Sequence, residues 1–175
     1  MAIWENYHLA RNVQDALEAL ASAPGSARCV AGGTDLLLDL QQGRHPPVHT
    51  LVDVTGMPET TALEIRSGEL FIGSAAPLRQ IVHSSLVAAH AQALVEACAL
   101  IGGPQVRNTA TLGGNVCHAL PAADGTIALL ALDGVAEIAD KNGARRAPLE
   151  EIVRNLRPAS LEPVQRDGRF GEMRS

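Results

Sequence analysis

Two short glycine runs are the residues of this chain best suited to chemistry. Ala31-Gly32-Gly33-Thr34-Asp35-Leu36-Leu37 follows a brief apolar stretch, and Thr111-Leu112-Gly113-Gly114-Asn115 repeats the theme well downstream. A diphosphate needs several backbone N–H groups converging on it with side chains held clear. Glycine supplies both conditions, because it lacks Cβ and accepts positive φ. Either run alone reads equally well as a tight turn. Neither follows the GxGxxG pattern, and no lysine succeeds the glycines as in a Walker loop. Together they imply a long dinucleotide gripped from two walls of a cleft.

Around these runs, Thr34 offers a hydroxyl donor. Asp35 would accept from a sugar hydroxyl or, equally, serve as a first-turn helix carboxylate. Gly33 and Gly114 are expected to lie outside the core. The Asn115 amide is placed to pin the second Gly-Gly turn, Arg107 to anchor its own loop by hydrogen bonds, and His118 reads as structural. No Ser/His/Asp set or pair of carboxylates points to hydrolysis.

Composition narrows the class further. Cys29, Cys98 and Cys117 include no CxxC pair, so they read as buried packing thiols rather than zinc or iron–sulfur ligands. A net charge of −5 argues against nucleic acid, which needs a basic face. Trp4, Tyr7, Phe71 and Phe170 are the only aromatics, so a planar ligand here must be sandwiched by aliphatic side chains and backbone. The apolar run Ile127–Leu132 is far shorter than the roughly 20 residues that span a bilayer. No charged leader opens the chain, and a cytoplasmic location is expected.

The elements that must position these residues follow from local patterning. Asn12 caps a helix from Val13, with Ala16, Leu17 and Leu20 at helical spacing. Arg28–Ala31 reads as a buried strand, Leu36–Gln42 as a helix stopped by Gly43, and Thr50–Val54 as a second strand. Residues 1–55 thus form a small βαβ-like α/β subdomain with a parallel pair. Beyond Gly56, Ala62–Arg66 and Glu69–Gly73 form a hairpin through Ser67-Gly68. Leu78–His83 and Leu86–Leu100 are helical, and Gly102-Gly103-Pro104 breaks the second. A loop carries Arg107 through Asn115, Ala122–Leu132 is a helix, and Val135–Asp140 and Ala144–Ala147 flank an Asn142-Gly143 turn. Residues 56–153 are therefore a larger mixed subdomain with an antiparallel sheet, and the class is α+β. Residues 154–175 lose apolar periodicity and read as a divergent tail.

The pair AGGTDLL and TLGGN resembles the FAD-binding medium subunit of molybdenum hydroxylases, the flavoproteins of carbon monoxide dehydrogenase, xanthine dehydrogenase and their relatives. Gln105-Val106-Arg107-Asn108-Thr109-Ala110 before the second run and Pro121-Ala122-Ala123-Asp124 after it extend the likeness, which covers roughly residues 3–152. The resemblance implies a PCMH-type FAD-binding fold, with FAD extended between two subdomains. It implies a first diphosphate loop of Cys29, Val30, Ala31, Gly32, Gly33, Thr34, Asp35 and Leu36. The second would be Thr111, Leu112, Gly113, Gly114 and Asn115. Ile101 matches the position that packs against the isoalloxazine, and Asp124 a carboxylate that contacts the flavin nucleotide. It implies electron transfer from [2Fe–2S] clusters of a small subunit, downstream of a molybdopterin-binding large subunit, to NAD, a quinone or another acceptor.

The family's medium subunit runs on beyond this length, and Val164–Ser175 departs from its pattern. The expectation is a product truncated before the C-terminal domain. Two readings stay open on that basis: an FAD-dependent oxidoreductase subunit, active only within a complex, or a non-catalytic assembly module that no longer holds FAD.

Overall fold

The computed structural model describes residues 2–118 and 123–156. Strand β1 (Trp4–Leu9) opens the chain, and helix α1 (Val13–Ser22) follows. The Asn12 side chain accepts from Asp15 N–H at 2.9 Å, which satisfies one of the free donors at the start of α1. Strand β2 (Ala27–Val30), helix α2 (Leu36–Gln41) and strand β3 (Val48–Asp53) complete this part. The three strands form one parallel sheet in the order β1-β3-β2. The expected pair is thus a triplet. β1 escaped the periodicity because it is an edge strand whose Trp-Glu-Asn-Tyr-His-Leu sequence exposes every residue at least partly.

Central strand β3 is nearly all buried, between two clusters. In one, Val30, Leu40, Val48 and Leu51 pack with Leu36 and Leu37 of α2. In the other, Ala10, Ala16, Val52 and Val54 pack with Met57 and Ala75, residues from beyond Gly56. Full burial of each Leu or Val contributes roughly 1.5–3 kcal/mol, so these two clusters set the sheet firmly. At the carboxyl end of β3, buried Asp53 accepts from Thr55 N–H and Oγ1–H, both at 2.7 Å, and from the Tyr7 hydroxyl. That hydrogen bond, with burial and the carboxylate's charge, pushes the Tyr7 phenol up to about 12.

The second part begins with the short helix α3 (Pro58–Thr61) and the hairpin β4 (Leu63–Arg66) and β5 (Glu69–Ile72). Helices α4 (Leu78–Val82) and α5 (Ser85–Leu100, bent at Ala91) follow. Next come α6 (Pro104–Thr109), α7 (Leu112–Cys117) and α8 (Asp124–Ala131). The antiparallel hairpin β6 (Val135–Asp140) and β7 (Gly143–Pro148) leads into α9 (Leu149–Asn155). Leu78, Ile81, Val87, Leu94, Cys98, Leu112 and Ala128 form the core of this part. The two hairpins are separate two-stranded sheets rather than one antiparallel sheet. An Arg146–Glu69 ion pair at 2.6 Å links β7 to β5 across the surface.

The stretch from Arg107 to Asn115, expected as a loop, is mostly helical. Pro104 occupies the first turn of α6, where its missing N–H costs nothing. Thr111 caps α7 despite the glycines inside it, because Leu112 and Val116 bury their side chains. Of the expected tail, residues 154–156 finish α9 and its cap, and the remainder, with Val164–Ser175, lies outside the described residues.

Candidate functional site

The first glycine run leaves β2 at the carboxyl end of the parallel sheet, the edge at which open α/β sheets receive ligands. Cys29 and Val30 are the last residues of β2, Ala31 through Asp35 form the connection, and Leu36 begins α2. Gly33 has φ +67°, and a Cβ there would stand 2.9 Å from Leu37 Cδ1 and 3.3 Å from Val30 Cγ2. Gly33 is therefore tied into local packing, contrary to the expectation that it lies clear of the core. Burial pushes the Cys29 thiol up to about 12, which keeps it protonated as a packing group.

The N–H groups of Gly32, Gly33, Thr34, Asp35 and Leu36 make no hydrogen bond among the described residues. Five consecutive donors in one turn of partly exposed chain are costly unless water or an anion takes them. The Thr34 hydroxyl lies 3.4 Å from Asp35 Oδ2, and Asp35 itself is exposed and makes no side-chain cap to α2. Thr34 and Asp35 are thus held at the mouth of the run, with the carboxylate free to accept.

The second run differs. Leu112 N–H donates to Ala76 O at 3.4 Å and Gly113 N–H to Ser74 O at 2.8 Å. Gly114 N–H donates to Thr111 Oγ1 at 3.1 Å, and Asn115 N–H to Thr111 O at 3.0 Å. All four donors are engaged in folding. Gly113 is a glycine because a Cβ would stand 2.6 Å from Ser74 O, so it lets the α4 approach and α7 touch through their backbones. Asn115 does not pin the Gly-Gly turn. Its Oδ1 accepts from Thr126 N–H at 3.2 Å and so ties α7 to the first turn of α8, where exposed Asp124 sits.

The two runs meet. A Cβ on Gly32 would stand 2.2 Å from Thr109 O and 2.8 Å from Ala110 Cα, so the first run lies flush against the residues entering the second. Thr109 and Ala110 were read only as part of the stretch leading into the second run, and Ser74 was not singled out at all. Nothing local marks them, because their role is to offer backbone at a close approach. Ile101 lies at the opposite end of α6, partly buried against the helical core. Arg107 anchors its surroundings as expected, donating from Nη1 to the carbonyls of Ile101 at 3.1 Å and Gly102.

One other titratable group stands out near β2. Burial holds the His45 imidazole below the ordinary histidine value, reinforced by the Arg28 and His118 charges and opposed by Asp39. Asp39 takes an ion pair from Arg44 at 3.0 Å. Among the described residues there is no His/Cys/Asp/Glu group able to hold a metal, and no helix is long and apolar enough to cross a membrane.

A mixed α+β chain with a donor-rich glycine run at the carboxyl end of a parallel sheet, set against the residues that lead into a second glycine run, has the donors and the close backbone approach that a nucleotide's diphosphate requires. Comparison with known proteins agrees: the family described as "FAD binding domain in molybdopterin dehydrogenase" matches residues 3–165. The chain belongs to that family of FAD-binding domains. It is 35% identical over 158 residues to the xanthine dehydrogenase FAD-binding subunit of Escherichia coli O157:H7, covering 90% of this chain and 53% of that one. It is 30% identical over 144 residues to the carbon monoxide dehydrogenase medium chain of Hydrogenophaga pseudoflava, covering 82% and 50%. Among solved structures, carbon monoxide dehydrogenase from H. pseudoflava superposes with TM-score 0.80 at 28% identity, over 85% of this chain and 52% of that one. Quinoline 2-oxidoreductase from Pseudomonas putida 86 gives 0.79 at 26% identity, over 85% and 51%. The chain spans about half the length of the curated relatives it matches.

Proposed function

We propose that this chain holds FAD along the seam between residues 1–55 and 56–153, as the flavin-carrying part of a molybdenum-dependent dehydrogenase. The observation that carries this reading is the run of five backbone donors from Gly32 to Leu36, unengaged among the described residues and set beside Thr109–Ala110. That donor set fits a diphosphate, which needs converging N–H groups and no intruding Cβ. Cys29, Val30 and Ala31 bring the strand to the cradle, and Thr34 and Asp35 add a hydroxyl and an acceptor for the sugar. Thr111, Leu112, Gly113, Gly114 and Asn115 form the opposite wall. Their N–H groups are already bonded, so they act by shape and by the Thr111 hydroxyl more than as a second cradle. Ile101 faces the ring end and Asp124 the nucleotide.

FAD, when bound, supplies the redox chemistry, and the protein holds and orients it. By likeness to the dehydrogenase subunits above, the partners are a [2Fe–2S] small subunit and a molybdopterin-binding large subunit in the cytoplasm. Electrons would pass from the clusters through this domain to NAD, a quinone or another acceptor. Titration of the purified chain with FAD, ATP and NAD side by side tests the reading. Saturable uptake of FAD with an oxidised-flavin absorbance band is expected. A chain that takes up no FAD, yet joins the iron–sulfur and molybdenum subunits, would be an assembly module instead.

A further inference from the structure

The second wall of the seam is short of donors, because the N–H groups from Leu112 to Asn115 are all bonded within the fold. The residue that accepts from Gly113 is in the opposite condition. Ser74 is exposed, and among the described residues neither its N–H nor its Oγ–H makes a hydrogen bond.

Its neighbours hold it in place. Gly73 N–H donates to Ala62 O at 2.8 Å, and Ala75 N–H donates to Thr60 O at 2.7 Å. Ala76 N–H donates to Gly73 O at 3.0 Å, and both alanines are almost wholly buried. A Cβ on Gly73 would stand 2.2 Å from Thr60 O, so the chain here lies directly on backbone. From Gly73 to Ala76, then, three N–H groups are bonded and that of Ser74 alone is left over. A backbone donor fixed this closely meets either water or a ligand.

Ser74 also lies where the two glycine runs come together. On one side, the Cβ position of Gly113 is 2.6 Å from Ser74 O and 2.7 Å from Ser74 Cβ, so no side chain stands between them. On the other, Ala75 belongs to the cluster against which Cys29 and Ala31 pack. Ser74 thus touches the second run directly and is one residue away from a contact with the strand that feeds the first.

We propose that Ser74 is a ligand-binding residue of the seam, donating its N–H and Oγ–H to the diphosphate from the wall whose glycines have no donor left. The inference rests on the FAD reading above. The first run holds the diphosphate with backbone donors from Gly32 to Leu36, and Ser74 closes on it from the other half of the chain. Because its neighbours already fix it, little ordering is lost when the ligand arrives.

The full chain is compared as wild type, Ser74→Ala, Ser74→Thr and Ser74→Asp. FAD titration at two salt concentrations reads affinity, and melting of the FAD-free chain reads fold. Ser74→Ala removes a hydroxyl that is unbonded within the described chain, so its melting temperature should not change. Its FAD affinity is expected to fall roughly tenfold, as for a hydrogen bond to a charged group. Ser74→Thr keeps the hydroxyl and should retain most of the affinity. Ser74→Asp sets a carboxylate against the phosphates and should bind more weakly than Ser74→Ala, by a margin that shrinks at high salt. A wild-type chain that takes up no FAD overturns the FAD reading and this inference with it. A wild type that binds FAD, with affinity unchanged in both the Ala and Asp variants, overturns the inference alone. So does an Asp variant that binds as well as the Ala variant, because it places Ser74 away from the phosphates. An Ala variant that loses FAD only together with a lower melting temperature makes the serine structural, and overturns it too.

Discussion

A methyl group on Gly32 would stand 2.2 Å from the carbonyl oxygen of Thr109. That single approach joins the two halves of the site, since Gly32 follows β2 and Thr109 ends α6. It yields a prediction that separates seam geometry from phosphate contact. Gly32→Ala must push the seam apart, because the obstacle is backbone and cannot rotate away. We expect a loss of roughly 1–3 kcal/mol in the FAD-free chain, the usual cost of overpacking, together with loss of FAD. Gly114→Ala meets only Thr111 Oγ1, at 3.0 Å, and should keep its fold. Thermal melting with and without FAD checks both. Equal stability of Gly32→Ala and wild type would refute the close approach.

Gly33 calls for a different control. Its positive φ and its contact with Leu37 mean that Gly33→Val strains the chain whether or not a ligand is present. Loss of FAD in that variant is expected to be accompanied by a lower melting temperature of the apo chain. Gly33→Val thus cannot by itself locate a phosphate, and an unchanged apo melting temperature would contradict the packing seen here.

Thr111 caps α7 through its hydroxyl, which accepts from Gly114 N–H. Thr111→Val preserves shape and removes the acceptor, which should cost about 1 kcal/mol, as for other N-caps. Thr111→Ser should restore most of it. Denaturant unfolding of the three proteins measures the difference. If the second wall acts through the Thr111 hydroxyl, FAD affinity falls in the Val variant and recovers in the Ser variant.

Much of this was legible in the sequence wherever one residue's chemistry dictates local structure. Asn12 announced α1, the Ser67-Gly68 and Asn142-Gly143 signals announced both hairpins, and the first glycine run marked the turn whose five N–H groups are unengaged among the described residues. What sequence could not convey was reciprocity between distant backbones. Gly113 looks like a phosphate glycine, yet its N–H is bonded to Ser74 O, and no local pattern names Ser74. β1 was hidden because an edge strand need not alternate. α7 was hidden because Gly-Gly discourages a helix, a tendency that burial of Leu112 and Val116 overrides. α6 was hidden because Gly102-Gly103-Pro104 reads as a break, whereas Pro104 opens a new helix at its first turn.

The buried His45 makes stability depend on pH in a definite direction. Burial first, then the Arg28 and His118 charges, hold its folded pKa below the ordinary value near 6.5, with Asp39 opposing. As pH falls through that ordinary value, the unfolded chain takes up a proton that the folded chain does not. Stability is therefore full above about pH 6.5 and declines as pH drops toward the folded pKa. His45→Gln should remove this part of the slope. Melting curves from about pH 5 to 8 compare the two. Parallel curves for variant and wild type would show that His45 does not titrate differently on folding.

Asn115 supplies the last test, because its partner is not the one its position suggests. Its Oδ1 accepts from Thr126 N–H, one of the free donors at the start of α8, and lies 3.5 Å from the Thr126 hydroxyl. A Cβ on the neighbouring Gly125 would stand 2.8 Å from the same oxygen, so the amide is confined from two sides. Asn115→Ala leaves the Thr126 N–H buried without an acceptor, at a cost of about 1–3 kcal/mol. Asn115→Asp keeps an acceptor oxygen in place and puts negative charge at the amino end of α8, which the helix dipole favours. The Asp variant should therefore retain stability. In the FAD-loaded chain it should lose affinity, because a carboxylate on this wall repels a diphosphate. Thermal melting of the apo chain and FAD titration give the two readings separately. An Asp variant with wild-type affinity would place Asn115 away from the phosphates, and an Ala variant with wild-type stability would remove its role as the tie between α7 and α8.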